Sequence, residues 1–188
     1  MKPIVTERLL LRNWEERDRD LFHRINSDDV VMEFFDFRRT REEADRVLDR
    51  MRAGIDNLGY GWAAVELRET GECLGFTGIS PVTNTPPVPD GEIEIGWRFA
   101  PEHWGKGYAT EAARAWLRFG FEELGLHHII AFAVESNERS IAVMKRLGML
   151  PDPARNFLHP RVAETHPHLH PHVVYTITKE RWQARAHG

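Results

Sequence analysis

The segment Trp104-Gly105-Lys106-Gly107-Tyr108-Ala109-Thr110-Glu111 places two glycines, a lysine and an alanine just ahead of a run with helical periodicity. A helix N-terminus presents unpaired N–H groups and a partial positive charge, which suit a phosphate or pyrophosphate. Gly105 and Gly107 have no side chain to keep such an anion off the backbone, Ala109 is nearly as small, and Lys106 adds a mobile positive charge. The same residues also fit a tight turn with close helix–strand packing, and on residue types alone the two readings carry equal weight. A Walker-type P-loop is excluded. It needs Gly-x-x-x-x-Gly-Lys followed by Ser or Thr, whereas Gly107 follows Lys106 and Pro101 stands four positions before Gly105. A dinucleotide fold fits poorly, because the glycines fall mid-chain after an antiparallel-looking hairpin.

A second concentration of chemistry is His166-Pro167-His168-Leu169-His170-Pro171-His172. Prolines favour an extended chain, and alternate residues of an extended chain share a face, so these histidines would converge on a metal. Only Glu164 accompanies them, and solvated or pocket-lining histidines outweigh a metal site. No metal is expected.

These groups need elements to position them. Thr6–Arg12 reads as a first strand and Arg17–Asn26 as a short helix. Thr40-Arg41-Glu42-Glu43 is a capping box opening a helix with Ala44, Val47, Leu48, Met51 and Ile55 on one stripe, closed by Gly59. Trp62–Leu67 and Cys73–Ile79 form a hairpin, and Thr83–Gly91, with three prolines, reads as an exposed loop. Glu92–Phe99 alternates: Ile93, Ile95, Trp97 and Phe99 face one way, Glu92, Glu94, Gly96 and Arg98 the other. Gly107–Leu124 is a long helix stopped by Gly125, and Ile129–Val134 a strand covered on both faces. Strand, helix and buried strand make a βαβ unit, in which ligands bind beyond the strands' carboxyl ends, here at residues 100–109. A helix over Asn137–Leu147 ends at Gly148, and Val173–Ile177 is a last strand.

The totals bound the class. With 188 residues, 41% of them hydrophobic and 29% charged, the chain is one ordinary globular domain, residues 1–188. A formal net charge of -4 argues against a nucleic-acid partner. One cysteine, Cys73, excludes an internal disulfide and a cysteine zinc site. The charged start gives no secretory signal, and the longest apolar run, Ile129–Val134, is far short of a membrane span. A cytoplasmic protein without membrane contact is expected.

Residues 100–112, Ala-Pro-Glu-His-Trp-Gly-Lys-Gly-Tyr-Ala-Thr-Glu-Ala, resemble the pyrophosphate-binding motif of the GNAT N-acetyltransferase superfamily. Thr6-Glu7-Arg8-Leu9-Leu10-Leu11-Arg12, Glu94-Ile95-Gly96-Trp97, and Asn137-Glu138-Arg139-Ser140 leading to Leu147-Gly148-Met149 resemble its RimJ/RimL-type branch, which includes enzymes acetylating ribosomal-protein N-termini. The resemblance spans nearly the whole chain in order. It departs from the general motif in carrying Trp104 where Gln or Arg is usual.

The resemblance implies an α/β (mixed α+β) GNAT fold: a central, mostly antiparallel mixed sheet of six to seven strands, about four helices, and one βαβ unit binding acetyl-CoA. It implies acetyl transfer to a primary amine, either a protein N-terminus or a small molecule, by direct attack on the thioester, and it leaves room for a homodimer. Backbone groups of Trp97, Arg98 and Phe99 would bind the acetyl and pantetheine portions. Trp104, Gly105, Lys106, Gly107, Tyr108, Ala109 and Thr110 would hold the pyrophosphate, and Asn137 would contact pantetheine or cap its helix. Glu94 is the implied general base, through a water, against the plainer role of a structural carboxylate. Ser140 is the implied donor to the departing sulfur, since the position where many members carry a tyrosine is Met144. Met32–Phe37 would line the acceptor side if its aromatics are exposed, and core if they are buried. The competing classes are a non-catalytic acyl-CoA-binding module and, behind it, a histidine-loop metal binder.

Overall fold

Apolar residues that alternate or recur at helical spacing set the elements of the computed structural model, which describes residues 1–186. The chain gathers into two units, Met1–Ser80 with Gly96–Ala115, and Pro81–Ile95 with the chain from Trp116 onward.

In the first unit, the expected opening strand is two: β1 (Ile4–Val5) folds back antiparallel on β2 (Leu9–Arg12). The break comes from Thr6, whose N–H donates to the Leu9 carbonyl at 2.9 Å and whose hydroxyl accepts from the Leu9 N–H at 3.0 Å. A 3-10 turn at Glu16–Asp18 leads into α1 (Arg19–Ser27). The capping box at Thr40 is present in both directions and opens α2 (Arg41–Leu58), which ends at Gly59 with φ 80°. β3 (Trp62–Leu67) pairs antiparallel with β2 and with β4 (Cys73–Pro81), as the hairpin reading required. The strands run β1-β2-β3-β4-β5, where β5 is Ile93–Phe99. Trp14, Phe22 and Phe76 anchor the core, with Trp14 edge-on to Phe22 at 5.0 Å.

β5 continues through α3 (Tyr108–Arg118) to β6 (His128–Val134), and β5 and β6 are parallel at Glu94 and Ile130. This is the predicted βαβ unit. The predicted helix to Leu124 is not α-helical throughout: Phe119–Glu123 forms a π turn before Gly125.

In the second unit, β6 pairs antiparallel with β9 (Pro171–Thr178) from His128–Thr178 to Val134–His172. α4 (Glu138–Leu147) starts at Asn137, whose side-chain oxygen accepts from the Ser140 N–H at 3.1 Å, and closes at Gly148. Two-residue strands β7 (Leu150–Pro151) and β8 (Phe157–Leu158) lie on β9, and α5 (Lys179–Ala186) follows it. Among the described residues there are nine strands and five helices, more than the six to seven strands and four helices expected, because three of the strands are only two residues long and α5 follows the last strand. The proline-rich stretch Thr83–Gly91 is the exposed loop expected except at Thr85 and Val88, which are buried. Val88 N–H bonds to the Thr85 carbonyl, turning Thr85 and Val88 inward, where Val88 joins Val82, Ile130, Phe157 and Val174 in an apolar cluster.

One buried ionic group stands out in the first unit. Arg12 makes two bonds to Asp18, at 2.7 and 2.9 Å, and one to Glu66 at 2.7 Å. Burial works against the Arg12 charge, but Asp18 and Glu66 more than offset it and raise its pKa. Removing one partner of a buried pair strands the other, so Asp18→Ala should cost about 3 kcal/mol in urea unfolding, because Glu66 keeps part of the compensation.

Candidate functional site

The glycine segment is built in the first unit. The Trp104 indole N–H donates to the Phe99 carbonyl at 2.8 Å, which ties the segment to the end of β5. Gly105 and Gly107 adopt left-handed backbone, φ 73° and 82°, which favours glycine. A Cβ on Gly105 would meet no atom within 4 Å, so that backbone borders open space. The Gly107 carbonyl accepts from Glu111 N–H at 3.0 Å, making Gly107 the cap of α3. By the geometry of an α-helix, the N–H groups of Tyr108, Ala109 and Thr110 then have no partner within it. Lys106 is exposed. Paired with a helix dipole, this arrangement can hold a multiply charged anion at the backbone.

Three residues that sequence reading did not assign hold the segment in place. The Glu111 carboxylate accepts from the Thr6 hydroxyl at 2.6 Å, the Arg8 backbone N–H at 2.9 Å and the Arg8 Nε at 2.7 Å. Arg8 Nη1 donates to the Lys106 carbonyl at 3.0 Å, and its guanidinium lies over the Tyr108 ring. Burial pushes the Glu111 carboxyl up, and the bonds from Thr6 and Arg8 more than reverse this and hold it below the usual range. The signal available beforehand was the co-occurrence of Thr6-Glu7-Arg8 and Glu111, polar residues with no other stated use.

Also in the first unit, Trp97 is half-buried on β5, Phe99 is buried, and the Arg98 side chain bonds Asn26. The free Cys73 thiol is pushed up to about 12 by burial, so it is no nucleophile at neutral pH. Met32 is core, whereas Phe35 and Phe37 are exposed, so the Met32–Phe37 segment divides between the two expected uses.

The second unit places Glu94 beside Ile130 of the apolar cluster. Burial pushes its carboxyl up to about 7, with the Arg161 charge pulling the other way. Among the described residues no hydrogen bond or ion pair holds the Glu94 carboxylate, so the picture of a carboxylate bonded across the sheet does not apply. Glu92 supplies the contrast: Arg155 and His128 both pair with it. Arg161 Nη2 in turn donates to the Thr85 hydroxyl at 2.9 Å. At the start of α4, Ser140 is half-buried beside its cap Asn137, and Met144 is buried in the core.

The histidine stretch is not extended throughout. Pro167–Leu169 is a 3-10 turn, so the histidines do not line one face. His172 instead stacks with Phe157 at 5.5 Å and lies 4.8 Å from His159. Among the described residues no group of three or more His, Cys, Asp or Glu is placed to hold a metal ion. Among them too, no helix is long and apolar enough to cross a membrane.

The acetyltransferase (GNAT) domain family matches residues 8–150. The uncharacterized protein YkkB of Bacillus subtilis (strain 168) is 39% identical over 156 residues, 78% of this chain and 84% of that one. The uncharacterized N-acetyltransferase YnaD of the same organism is 35% identical over 146 residues, 78% of this chain and 81% of its own. A solved GNAT-family acetyltransferase from Bacillus anthracis superposes with a TM-score of 0.77 at 30% identity, covering 95% of this chain and 99% of the other.

The raised Glu94 pKa makes a thermodynamic prediction. The ordinary value of 4.5 holds in the unfolded chain, so this carboxyl's stabilising share is full below 4.5 and is lost as pH rises through about 7. Between pH 4 and pH 8 the wild type should therefore lose about 3 kcal/mol that Glu94→Gln keeps, read from urea unfolding at each pH. Carboxyl NMR should show Glu94 titrating near 7.

Proposed function

The chain belongs to the GNAT acetyltransferase family and is an N-acetyltransferase, and we propose that it moves the acetyl group of acetyl-CoA directly onto a primary amine. The acceptor is a protein N-terminal α-amine or a small-molecule amine. Residues 1–188 act as one domain in this reading, supported by a family match that runs through both units. We place the enzyme in the cytoplasm, in keeping with its single unpaired cysteine.

The observation that carries the reading is the left-handed backbone of Gly105 and Gly107, bordering open space at Gly105 and leading into α3. Acetyl-CoA supplies an activated thioester and a pyrophosphate. The N–H groups of residues 105–110 and the Lys106 ammonium hold the pyrophosphate, while Trp104 fixes the segment through Phe99 rather than touching phosphate. Backbone groups of Trp97, Arg98 and Phe99 bind the acetyl and pantetheine portions, and Asn137 caps α4 near the pantetheine.

Glu94 takes the proton from the amine through a water as the new C–N bond forms. Its unpaired carboxylate and pKa near 7 suit a base working at neutral pH. The demand on it depends on the acceptor, because an α-amine has a reference pKa of about 7.7–8.0 and a lysine amine about 10.4. Ser140 donates to the sulfur as the C–S bond breaks. A thiol pKa of about 8.5 means the thiolate leaves readily, so this donation is worth little. The protonated Cys73 is in keeping with direct attack and not with an acyl-cysteine route.

Acetyl-CoA should raise the melting temperature, and a thiol-release assay over amines and peptides should then find turnover. Stabilisation without turnover of any amine would instead favour a non-catalytic acyl-CoA-binding module, and no stabilisation would sink the assignment. With an acceptor amine of pKa near ~10, kcat should rise through about 7, and Glu94→Gln should remove that step and cost roughly 10²-fold. Ser140→Ala should lose no more than about tenfold, and a fall to the uncatalysed rate would show that the leaving-group argument is wrong.

A further inference from the structure

Two arginines in the first unit are held against aromatic rings without a counter-ion. The Arg98 guanidinium lies over Phe35 at 4.2 Å and Phe76 at 5.4 Å, and the Arg39 guanidinium lies over Phe37 at 4.6 Å. The Phe35 and Phe37 rings touch edge to face at 5.7 Å, so rings and guanidiniums form one continuous set. Asn26 organises it: its side-chain oxygen accepts from Arg98 Nη1, and its backbone carbonyl accepts from the Arg39 N–H at 2.9 Å. The Asn26 amide is itself fixed by the Phe22 carbonyl at 2.7 Å.

Neither guanidinium enters an ion pair among the described residues, although this chain pairs Arg12, Arg17, Arg19, Arg24, Arg41 and Arg155 with carboxylates. Arg39 Nε is buried with no hydrogen-bond partner. Burial pushes the Arg98 pKa down to about 9, and the Arg39 charge adds to this. Two part-buried like charges, with only the Glu43 charge acting on Arg39 in compensation, are costly for structure alone, since an arginine away from water is ordinarily paired. Ring stacking offsets only part of that cost. The arrangement is what an anion would complete, because a guanidinium presents a planar fork that matches a carboxylate.

We propose that Arg98 and Arg39 receive a carboxylate of the acceptor, with the exposed rings of Phe35 and Phe37 covering its apolar flank. The inference rests on the acetyl-transfer reading, which sets the Arg98 backbone against the acetyl group and so its side chain on the acceptor side. The acceptor is then an amine that also bears an acid: an amino acid, or a protein N-terminus with an acidic residue beside it. A polyamine is disfavoured, because its charges would meet two cations that enter no ion pair among the described residues.

Binding of acetylated products tests this without requiring turnover. N-acetylphenylalanine and its C-terminal amide differ only in the carboxylate, and calorimetric titration of both into the full chain with CoA present gives the ratio. At least tenfold tighter binding of the acid is expected, with the difference lost in Arg98→Gln and in Arg39→Met. Equal affinities, no binding of either, or a preference surviving both replacements would overturn the proposal. Should Arg98→Gln melt below the assay temperature, Arg39→Met alone decides. N-acetyl-Ala-Glu-amide, whose only acid is a side chain, separates the two sources: its binding points to a protein N-terminus, and binding of the free amino acid alone to a small molecule. The acetyl-CoA melting experiment fails independently of this comparison, so loss of the cosubstrate reading and loss of the carboxylate reading are told apart.

Discussion

Glu111 accepts three hydrogen bonds from residues more than a hundred positions earlier in the chain, and the geometry of the glycine segment depends on them. Backbone N–H groups make a useful anion site only if they stay aimed, and a glycine-rich loop has more conformational freedom to lose than any other. Glu111 sits in the first turn of α3, where its own charge already favours the helix dipole. By collecting Thr6 and Arg8 it fixes the start of that helix, and through Arg8 it reaches the Lys106 carbonyl between the two glycines. Trp104 fixes the other end through Phe99. The loop is therefore pinned on both sides and left bare in the middle.

The chain treats its charges in two ways. Arg12, Asp18 and Glu66 neutralise one another in the core, as do Glu92 and Arg155 elsewhere, and these groups stabilise the structure. Glu94, Arg98 and Arg39 enter no ion pair among the described residues, and burial disfavours the charge on each, which costs stability. Glu92 just precedes β5 and Glu94 lies on it, so a paired and an unpaired carboxylate differ by two residues.

Much of this was legible in the sequence because it rests on local rules. The Thr40 capping box, the Gly59 and Gly148 stops, the Trp62–Leu67 hairpin and the βαβ unit all follow from periodicity and capping chemistry. What escaped was set by distant partners. Thr6 breaks the first strand because its hydroxyl serves Leu9 and Glu111 at once. Thr83–Gly91 reads as solvent-exposed by its prolines, yet Val88 finds an apolar cluster that no local rule announces. The histidine stretch looked alternating, and the turn at Pro167–Leu169 undoes the alternation. At the site, the glycine segment was visible as an anion cradle. Whether Glu94 was paired could be known only from its surroundings.

The half-buried Cys73 has a practical side. It is the only thiol in the chain, and burial keeps it protonated up to about pH 12. Colorimetric thiol reagents react with thiolate, so at neutral pH the protein contributes almost no background of its own. Released CoA is then the signal, and slow acceptors in a broad panel become measurable at high enzyme concentration. The same silence leaves any cysteine introduced on the surface as the sole point for attaching a probe.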